Sequence, residues 1–380
     1  MISFTLGKYK NHNVTTDTSE LFNDHVGIIG GSGGGKTVKS QDLMIQVAEA
    51  GGTVIAIDAR GSLADDQIFG PYKERFCNVL NNIDVFVDGI KTELFSPIEY
   101  PDGTCEDPLD TVGSIVDLIA KTTALGIRQR ADLRRAVSEV MHSGSYDTEG
   151  FKAVDDALAK IGTDTAAGVR ERIIALTSHN IFRPGDNFIK RGKINVIRLS
   201  KFDCNSQIIL AETVCAYLWR LANADRFKTE PIYLFIDECQ NMPSGKDSML
   251  AQMLSEGRRF GVNLIVATQL LLDSSFSAVQ QRFTQCGLLL FFKPLSNRID
   301  QTSRMIDPAA KADWTLTLRT LKVGEFVACG SFLVSDHKCE RPLKIDGRVD
   351  FSKEGKNRSY YMTEKSVNGV SIEVKGDQYG

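Results

Sequence analysis

The chain has 380 residues, 42% of them hydrophobic and 24% charged. That is enough apolar material for a large core and is ordinary for a globular protein in water. A formal net charge of −3 excludes a globally basic nucleic-acid binder, so any such contact must come from local loops or a pore lining. No signal-peptide core opens the chain, no apolar run approaches the ~18 residues of a membrane span, and the eight cysteines include no C-x-x-C pair; this reads as a reduced, cytoplasmic protein with no membrane insertion, zinc site or disulfide framework.

In chain order, Ile2–Tyr9 alternates apolar and polar residues like a half-buried strand. Asn11–Asp24 is polar and predicts a loop. Val26–Ile29 is an apolar run that predicts a buried strand, and Val38–Ala50 predicts a helix stopped by Gly51-Gly52. Between them stands Gly30-Gly31-Ser32-Gly33-Gly34-Gly35-Lys36-Thr37, which fits G-x-x-x-x-G-K-[ST] at every fixed position. Strand, glycine loop and helix together form a phosphate-binding unit. The glycines let backbone N–H groups curl around a phosphate chain, and the helix adds the positive end of its dipole. Lys36 is expected to reach the β- and γ-phosphates of ATP, and the Thr37 hydroxyl to bind Mg²⁺. Residues Gly30 to Val38 form the expected nucleotide contact.

Thr53–Ile57 predicts a second buried strand ending in Asp58. That acid sits either among ligands at a strand's carboxyl end or as a cap on the next turn. From Asp107 to Ile181 the texture changes. Asp107-Pro108 opens a helix. Leu109, Val112, Ile115, Val116 and Ile119 recur at helical spacing. So do Leu133, Ala136, Val137, Val140 and Met141, then Phe151, Val154, Leu158 and Ile161, and finally Val169, Ile173, Ile174 and Leu176. Four amphipathic helices are expected here. Arg128, Arg130, Arg134 and Arg135 on the second of them offer either a nucleic-acid face or, as the first reading, a solvated helix surface. Strands follow at Lys193–Leu199, Ile232–Ile236, Asn263–Ala267, Cys286–Phe292 and Val323–Ser331, with helices at Gln207–Ala224 and Met249–Phe260. Ser352–Gly380 is a polar tail. Alternating strands and helices predict an α/β fold with a mostly parallel, doubly wound sheet and an inserted helical subdomain. The expected division is 1–106 for the N-terminal strand and first part of the nucleotide domain, 107–187 for the helical insertion, 188–350 for the remainder and 351–380 for the tail.

Three further sites point to hydrolysis. Asp237-Glu238 follows a buried strand, where Asp237 can hold Mg²⁺ and Glu238 can polarise a water against the γ-phosphate. The acid pair favours an ATPase, and no Asn-Lys-x-Asp base-reading motif suggests a GTPase. Gln269 ends the next strand, where a neutral amide beside the γ-phosphate can sense ATP or place the water. Arg258, with Arg259 beside it, lies at a helix end. It reads alone as a C-cap charge, or as a finger supplied in trans to a neighbouring subunit.

Taken together, the sequence resembles the HerA/FtsK superfamily of ring-forming P-loop motors, which includes conjugative coupling ATPases. The resemblance rests on HVGIIGGSGGGKT, VIAIDARGSL, KINVIRLS, LFIDECQNMP, EGRRFGVNLIVATQ and LKVGEFVACG with the proline of CERPLKI. It implies a RecA-like P-loop NTPase. It implies Lys36 and Thr37 on phosphate and metal, Asp237 on metal, Glu238 as base, Gln269 as sensor and Arg258 as trans finger. It also implies a homo-oligomer, a hexameric ring with ATP at subunit interfaces and DNA through the centre. Only about two dozen residues precede the glycine loop, so the N-terminal β-barrel of HerA helicases is not expected, nor is a membrane anchor or a winged-helix DNA reader.

Three functions follow as expectations. The first is an ATP-driven DNA translocase or helicase with a nuclease or other effector partner. The second is a packaging or transfer motor of a phage or mobile element. The third is an ATP-gated assembly switch. DNA contacts are expected from Pro243–Asp247, with Lys246, and from Asp273–Arg282.

Overall fold

The structure, a computed structural model, describes residues 2–243, 245–269 and 281–348, and the backbone of 366–367 and 370–371. The chain starts with a hairpin. Strand β1 (Ser3–Tyr9) pairs antiparallel with β2 (His12–Asp17). Lys10 and Asn11, at φ 47° and 70°, make the two-residue turn that suits the strands' own twist. The first part of the expected Asn11–Asp24 loop is therefore a strand. Its alternation is carried by Val14 and Thr16, both buried, and the Thr16 hydroxyl donates to the Ser331 carbonyl at 2.7 Å. A buried threonine with a hydrogen-bond partner does the work of an apolar residue, which a polarity pattern misses.

Unbroken apolar runs need cover on both faces, and a parallel sheet with helices on each side supplies it. Such a centre forms from β3 (Val26–Ile29), β4 (Thr53–Asp58), β5 (Leu80–Asp84), β6 (Ile194–Arg198), β7 (Ile232–Ile236), β8 (Val262–Thr268) and β9 (Leu288–Phe292). Their spatial order is β9-β3-β8-β7-β4-β6-β5, with every neighbouring pair parallel. β5 (LNNID) has no apolar run of its own. The Asn81 side-chain amide donates to the buried Asn195 Oδ1 at 2.8 Å, a polar cross-strand pair that local pattern does not announce. Beyond β9 the sheet continues antiparallel through β10 (Glu325–Cys329) and then, across strands remote in sequence, through β13 (Leu343–Asp346), β1 and β2 to β11 (Phe332–Val334) and β12 (His337–Cys339).

Alternate residues of the central strands enter two separate cores. Val54 and Ala56 of β4 pack with Leu43, Met44 and Val47 of α1 (Lys36–Glu49) and with Phe76 of α2 (Lys73–Val79). Ile55 and Ile57 enter the other core, shared with the inserted helices α3 (Pro108–Thr123), α4 (Ile127–Ser143), α5 (Lys152–Ile161) and α6 (Asp164–Arg172) and with α7 (Cys204–Asn223). Asp107 caps α3, its carboxylate accepting from the Leu109 N–H at 2.7 Å, and Pro108 takes the first helical position, where no N–H is missed.

A buried ion pair ties the start of the insertion to α7. Arg220 Nη2 lies 2.6 Å from Glu106 Oε2, and Nη1 donates to the Leu94 carbonyl at 2.8 Å. Burial pushes the Glu106 carboxyl up, but the Arg220 charge and hydrogen bonds outweigh it and hold it below the usual range. Its contribution is thus present above its unfolded-state pKa and is lost as pH falls through the lower folded value. Arg220→Ala should leave that carboxylate buried without its cation, held only by Ile98, Thr111 and Ser114, and should cost about 3 kcal/mol in urea denaturation at neutral pH.

Candidate active site

The loop from β3 to α1 turns through Gly33 (φ 74°) and Gly35 (φ 101°), conformations that favour glycine. A Cβ at Gly35 would lie 3.1 Å from the Gly324 nitrogen. The Gly324 N–H donates to the Gly34 carbonyl at 3.0 Å, and the Gly31 N–H donates to the Lys293 carbonyl at 2.8 Å. The loop is thus braced from behind by the chain after β9 and before β10. Its other side is open, with nothing within 4 Å of a Cβ at Gly33. Lys36 begins α1 and folds back, its Nζ donating to the Gly31 carbonyl at 2.9 Å. Burial pulls the Lys36 ammonium down, while Asp237 and Glu238 pull it up. Ser32 is exposed, and Thr37 and Val38 are half-buried on the first turn of α1.

β3, β8 and β7 are consecutive in the sheet and parallel, so their carboxyl ends bring Gly30, Gln269 and Asp237 to one edge. Burial raises the Asp237 carboxyl, Ser62 opposes this, and Glu238 adds to it. Glu238 itself takes φ 52°, left-handed for a residue with a Cβ, and its N–H donates to Asp237 Oδ1 at 2.9 Å. Backbone strain of this kind, of order 1–3 kcal/mol, persists where the surroundings hold it. Glu238 Oε1 accepts from the Gln269 amide. Its Oε2 accepts from Gln240 Nε2 at 2.9 Å, and Gln240 Oε1 accepts from the Thr268 hydroxyl at 2.8 Å. Gln240 was not among the expected residues. Only the left-handed turn at Glu238 folds it back onto the acid, and no motif spacing signals that.

Asp58 resolves as a turn cap. Its Oδ2 accepts from the Leu63 N–H at 3.3 Å and lies 3.5 Å from Arg198 Nη1, and burial raises the carboxyl. Arg130 lies 3.7 Å from Asp117 and Arg135 3.4 Å from Asp132, with exposed side chains.

Arg258 sits in the 3-10 turn Gly257–Phe260 ahead of β8, at the opposite end of that strand from Gln269. Seven extended residues put it about 20 Å from that end, beyond reach of its own glycine loop. It is exposed, and its Nη1 donates to the Phe22 carbonyl. Beneath it His25 is buried, with Nδ1 accepting from the Leu264 N–H at 3.1 Å. Burial, then the Arg258 charge, push the imidazole down to about 4, so it is neutral. Arg259 turns to Phe260, 5.4 Å from the ring centre. Of the expected DNA loops, Asp273 to Gln280 and Ser244 lie outside the described residues. Arg282 Nη1 donates to the Lys246 carbonyl at 3.2 Å, which brings the two segments together. The tail after Asp346 lies outside the described residues from position 349 on, apart from the short backbone pairs.

The donor set suits a magnesium–nucleotide complex. Among the described residues no three His, Cys, Asp or Glu side chains could hold a metal by themselves. Mg²⁺ usually takes one or two protein oxygens beside substrate phosphates, which the Thr37 hydroxyl and Asp237 carboxylate match. The open glycine cradle matches the phosphates.

Glycine loop, parallel order and acid pair define the class: a P-loop NTPase of RecA-like α/β fold. Residues 17–82 match the family described as type IV secretion-system coupling protein DNA-binding domain. The chain is 23% identical over 354 residues to the DNA double-strand break repair helicase HerA of Saccharolobus solfataricus, covering 86% of this chain and 64% of that protein's length. Its fold resembles VirB4 of Thermoanaerobacter pseudethanolicus, with TM-score 0.64, 16% identity and 92% of this chain and 97% of that one covered. It also resembles the conjugative coupling protein TrwB, with TM-score 0.58, 13% identity and 86% of each chain covered. TrwB has been solved with the ATP analogue ADPNP and, separately, with ADP and Mg²⁺. Motifs and likenesses together make the chain similar to P-loop ATPases of the HerA/FtsK superfamily. Among the described residues no helix is long and apolar enough to cross a membrane.

Gly35→Ala should strain the brace between the glycine loop and Gly324. Thermal unfolding should show a loss of about 1–2 kcal/mol, the cost of a left-handed residue with a Cβ.

Proposed function

We propose that the chain hydrolyses ATP with Mg²⁺ and couples this to translocation or unwinding of DNA, as a homo-oligomeric, hexameric ring in the cytoplasm with a nuclease or other effector as partner. The observation that carries the reading is the division of groups between the two ends of β8. Lys36, Asp237, Glu238 and Gln269 share one edge, and Arg258 stands at the other. Arg258 can then reach a γ-phosphate only in the site of another subunit. When bound, Mg²⁺ would be held by Thr37 and Asp237 and would neutralise phosphate charge. Lys36 leaves the Gly31 carbonyl to grip the β- and γ-phosphates. Glu238 takes a proton from the attacking water, Gln269 reads the γ-phosphate, and a neighbour's Arg258 stabilises the charge that develops.

The choice of DNA as the polymer is supported by the relatives rather than by net charge. The curated relative is a DNA repair helicase, and the matched family is a DNA-binding domain. The match over 17–82 to coupling proteins favours a second reading, a conjugative transfer or packaging motor on a separate pore. Stimulation of ATPase by duplex DNA alone supports the first reading. Stimulation that requires a membrane or capsid partner supports the second. ATPase indifferent to DNA under both conditions would leave an assembly switch.

Glu238→Gln should retain ATP binding, measured by a fluorescent analogue, while turnover falls by about 10²–10⁴-fold. Arg258→Ala should bind ATP normally and lose about 10³-fold in rate, the lower end for an arginine finger. Mixing it with Lys36→Ala should restore part of the activity, because a mixed interface pairs an intact loop with an intact finger. No recovery in mixed rings would contradict sharing between subunits.

A further inference from the structure

Both oxygens of Glu238 are occupied by neutral amides: Oε1 by Gln269 and Oε2 by Gln240 at 2.9 Å. The two glutamines differ in how they are held. Gln269 ends β8, where its amide meets the Glu238 carboxylate. Gln240 is fixed from behind, its Oε1 accepting from the Thr268 hydroxyl at 2.8 Å, and Thr268 is fully buried in β8. Its short turn, Cys239–Asn241, is closed by the Asn241 N–H donating to the Glu238 carbonyl at 2.9 Å. One side of the carboxylate thus faces an anchored donor, and the other faces the residue at the strand tip.

We propose that Gln240 is a positioning residue for hydrolysis, holding Glu238 by Oε2 so that Oε1 alone is presented to water once Gln269 turns away. This rests on Glu238 acting as general base. In the reaction, the water oxygen bonds to the γ-phosphorus. The bond from that phosphorus to the bridging oxygen breaks, its electron pair leaving on ADP. The water proton passes to Oε1. Gln240 neither gives nor takes a proton. It removes the carboxylate's rotational freedom, and with the left-handed backbone at Glu238 (φ 52°) it fixes the direction in which Oε1 points. The chain Thr268–Gln240–Glu238 also links β8, whose next residue is Gln269, to the base on β7. A shift at the sensor therefore reaches both oxygens of the acid.

The test is steady-state ATPase of the full chain with Gln240→Met, which keeps the length and loses the amide, and with Thr268→Val, which loses only the hydroxyl. Gln240→Met should lower kcat by about 30- to 100-fold, the scale of a misplaced reacting group, with KM for ATP within about twofold. Thr268→Val should act in the same direction and less. The two together should be no worse than Gln240→Met alone, because they cut one chain. Added to Glu238→Gln, Gln240→Met should change neither residual turnover nor ATP binding, which a general structural defect would not spare. Wild-type kcat in Gln240→Met, a loss confined to KM, or additive effects with Thr268→Val would overturn the assignment. Should Gln240→Met fail to fold, Thr268→Val decides by the same readouts. A wild-type rate in Glu238→Gln would instead overturn the general-base reading, and this inference with it.

Discussion

Side-by-side parallel pairing of Val26–Ile29, Val262–Thr268 and Ile232–Ile236 is the constraint on which the rest depends. Parallel strands end at the same edge of a sheet, and in open α/β sheets that edge is where ligands collect. The three strands lie within about 10 Å of each other, two inter-strand spacings. A glycine loop, an acid pair and an amide from positions 30, 237 and 269 therefore meet without any of them being placed by a long loop. Strand order makes the site, and the two cores on either face of the sheet hold the order.

The same pairing separates Arg258 from this edge. A strand has two ends, and the turn before Val262 must lie at the far one. Electrostatics at the two ends differ accordingly. At the glycine loop, burial pulls the Lys36 ammonium down while two carboxylates oppose it, so an added polyanion meets a cation already short of water. At the other end, Arg258 is exposed, tied to a backbone carbonyl and backed by a neutral His25 and a half-buried Asp24 whose carboxyl burial raises. One end is built to receive charge, and the other can present it to another molecule. The inserted helices share the core on one face of the sheet, and the Arg220–Glu106 pair ties their start to α7.

Much of this was legible in the residues. The pattern from Gly30 to Thr37, the acids after Ile236 and the glutamine after Thr268 are local signals, because each is a short apolar run followed by chemistry. The inserted helices were legible for the same reason, since a helix records its buried face at a fixed period, but Leu109 and Ile174, counted in those faces, are exposed, and the fourth helix ends at Arg172. Less was legible where polar residues do structural work. Thr16 in β2 and Asn81 in β5 are partnered by groups far away in sequence, at Ser331 and Asn195. The antiparallel extension, which interleaves Ser3–Asp17 with Glu325–Asp346, joins segments more than three hundred residues apart, and no window along the chain contains both.

By itself the sequence marked the glycine loop and the strand-tip acids as candidates, because a phosphate cradle and a strand-tip acid are properties of a few adjacent residues. Only the tertiary structure decided how those groups are held. It chose turn cap over ligand for Asp58, folded Gln240 back onto Glu238 through a left-handed backbone, and tied Arg258 to the Phe22 carbonyl. Each of these depends on what packs alongside from another part of the chain, and spacing along one chain carries no record of that.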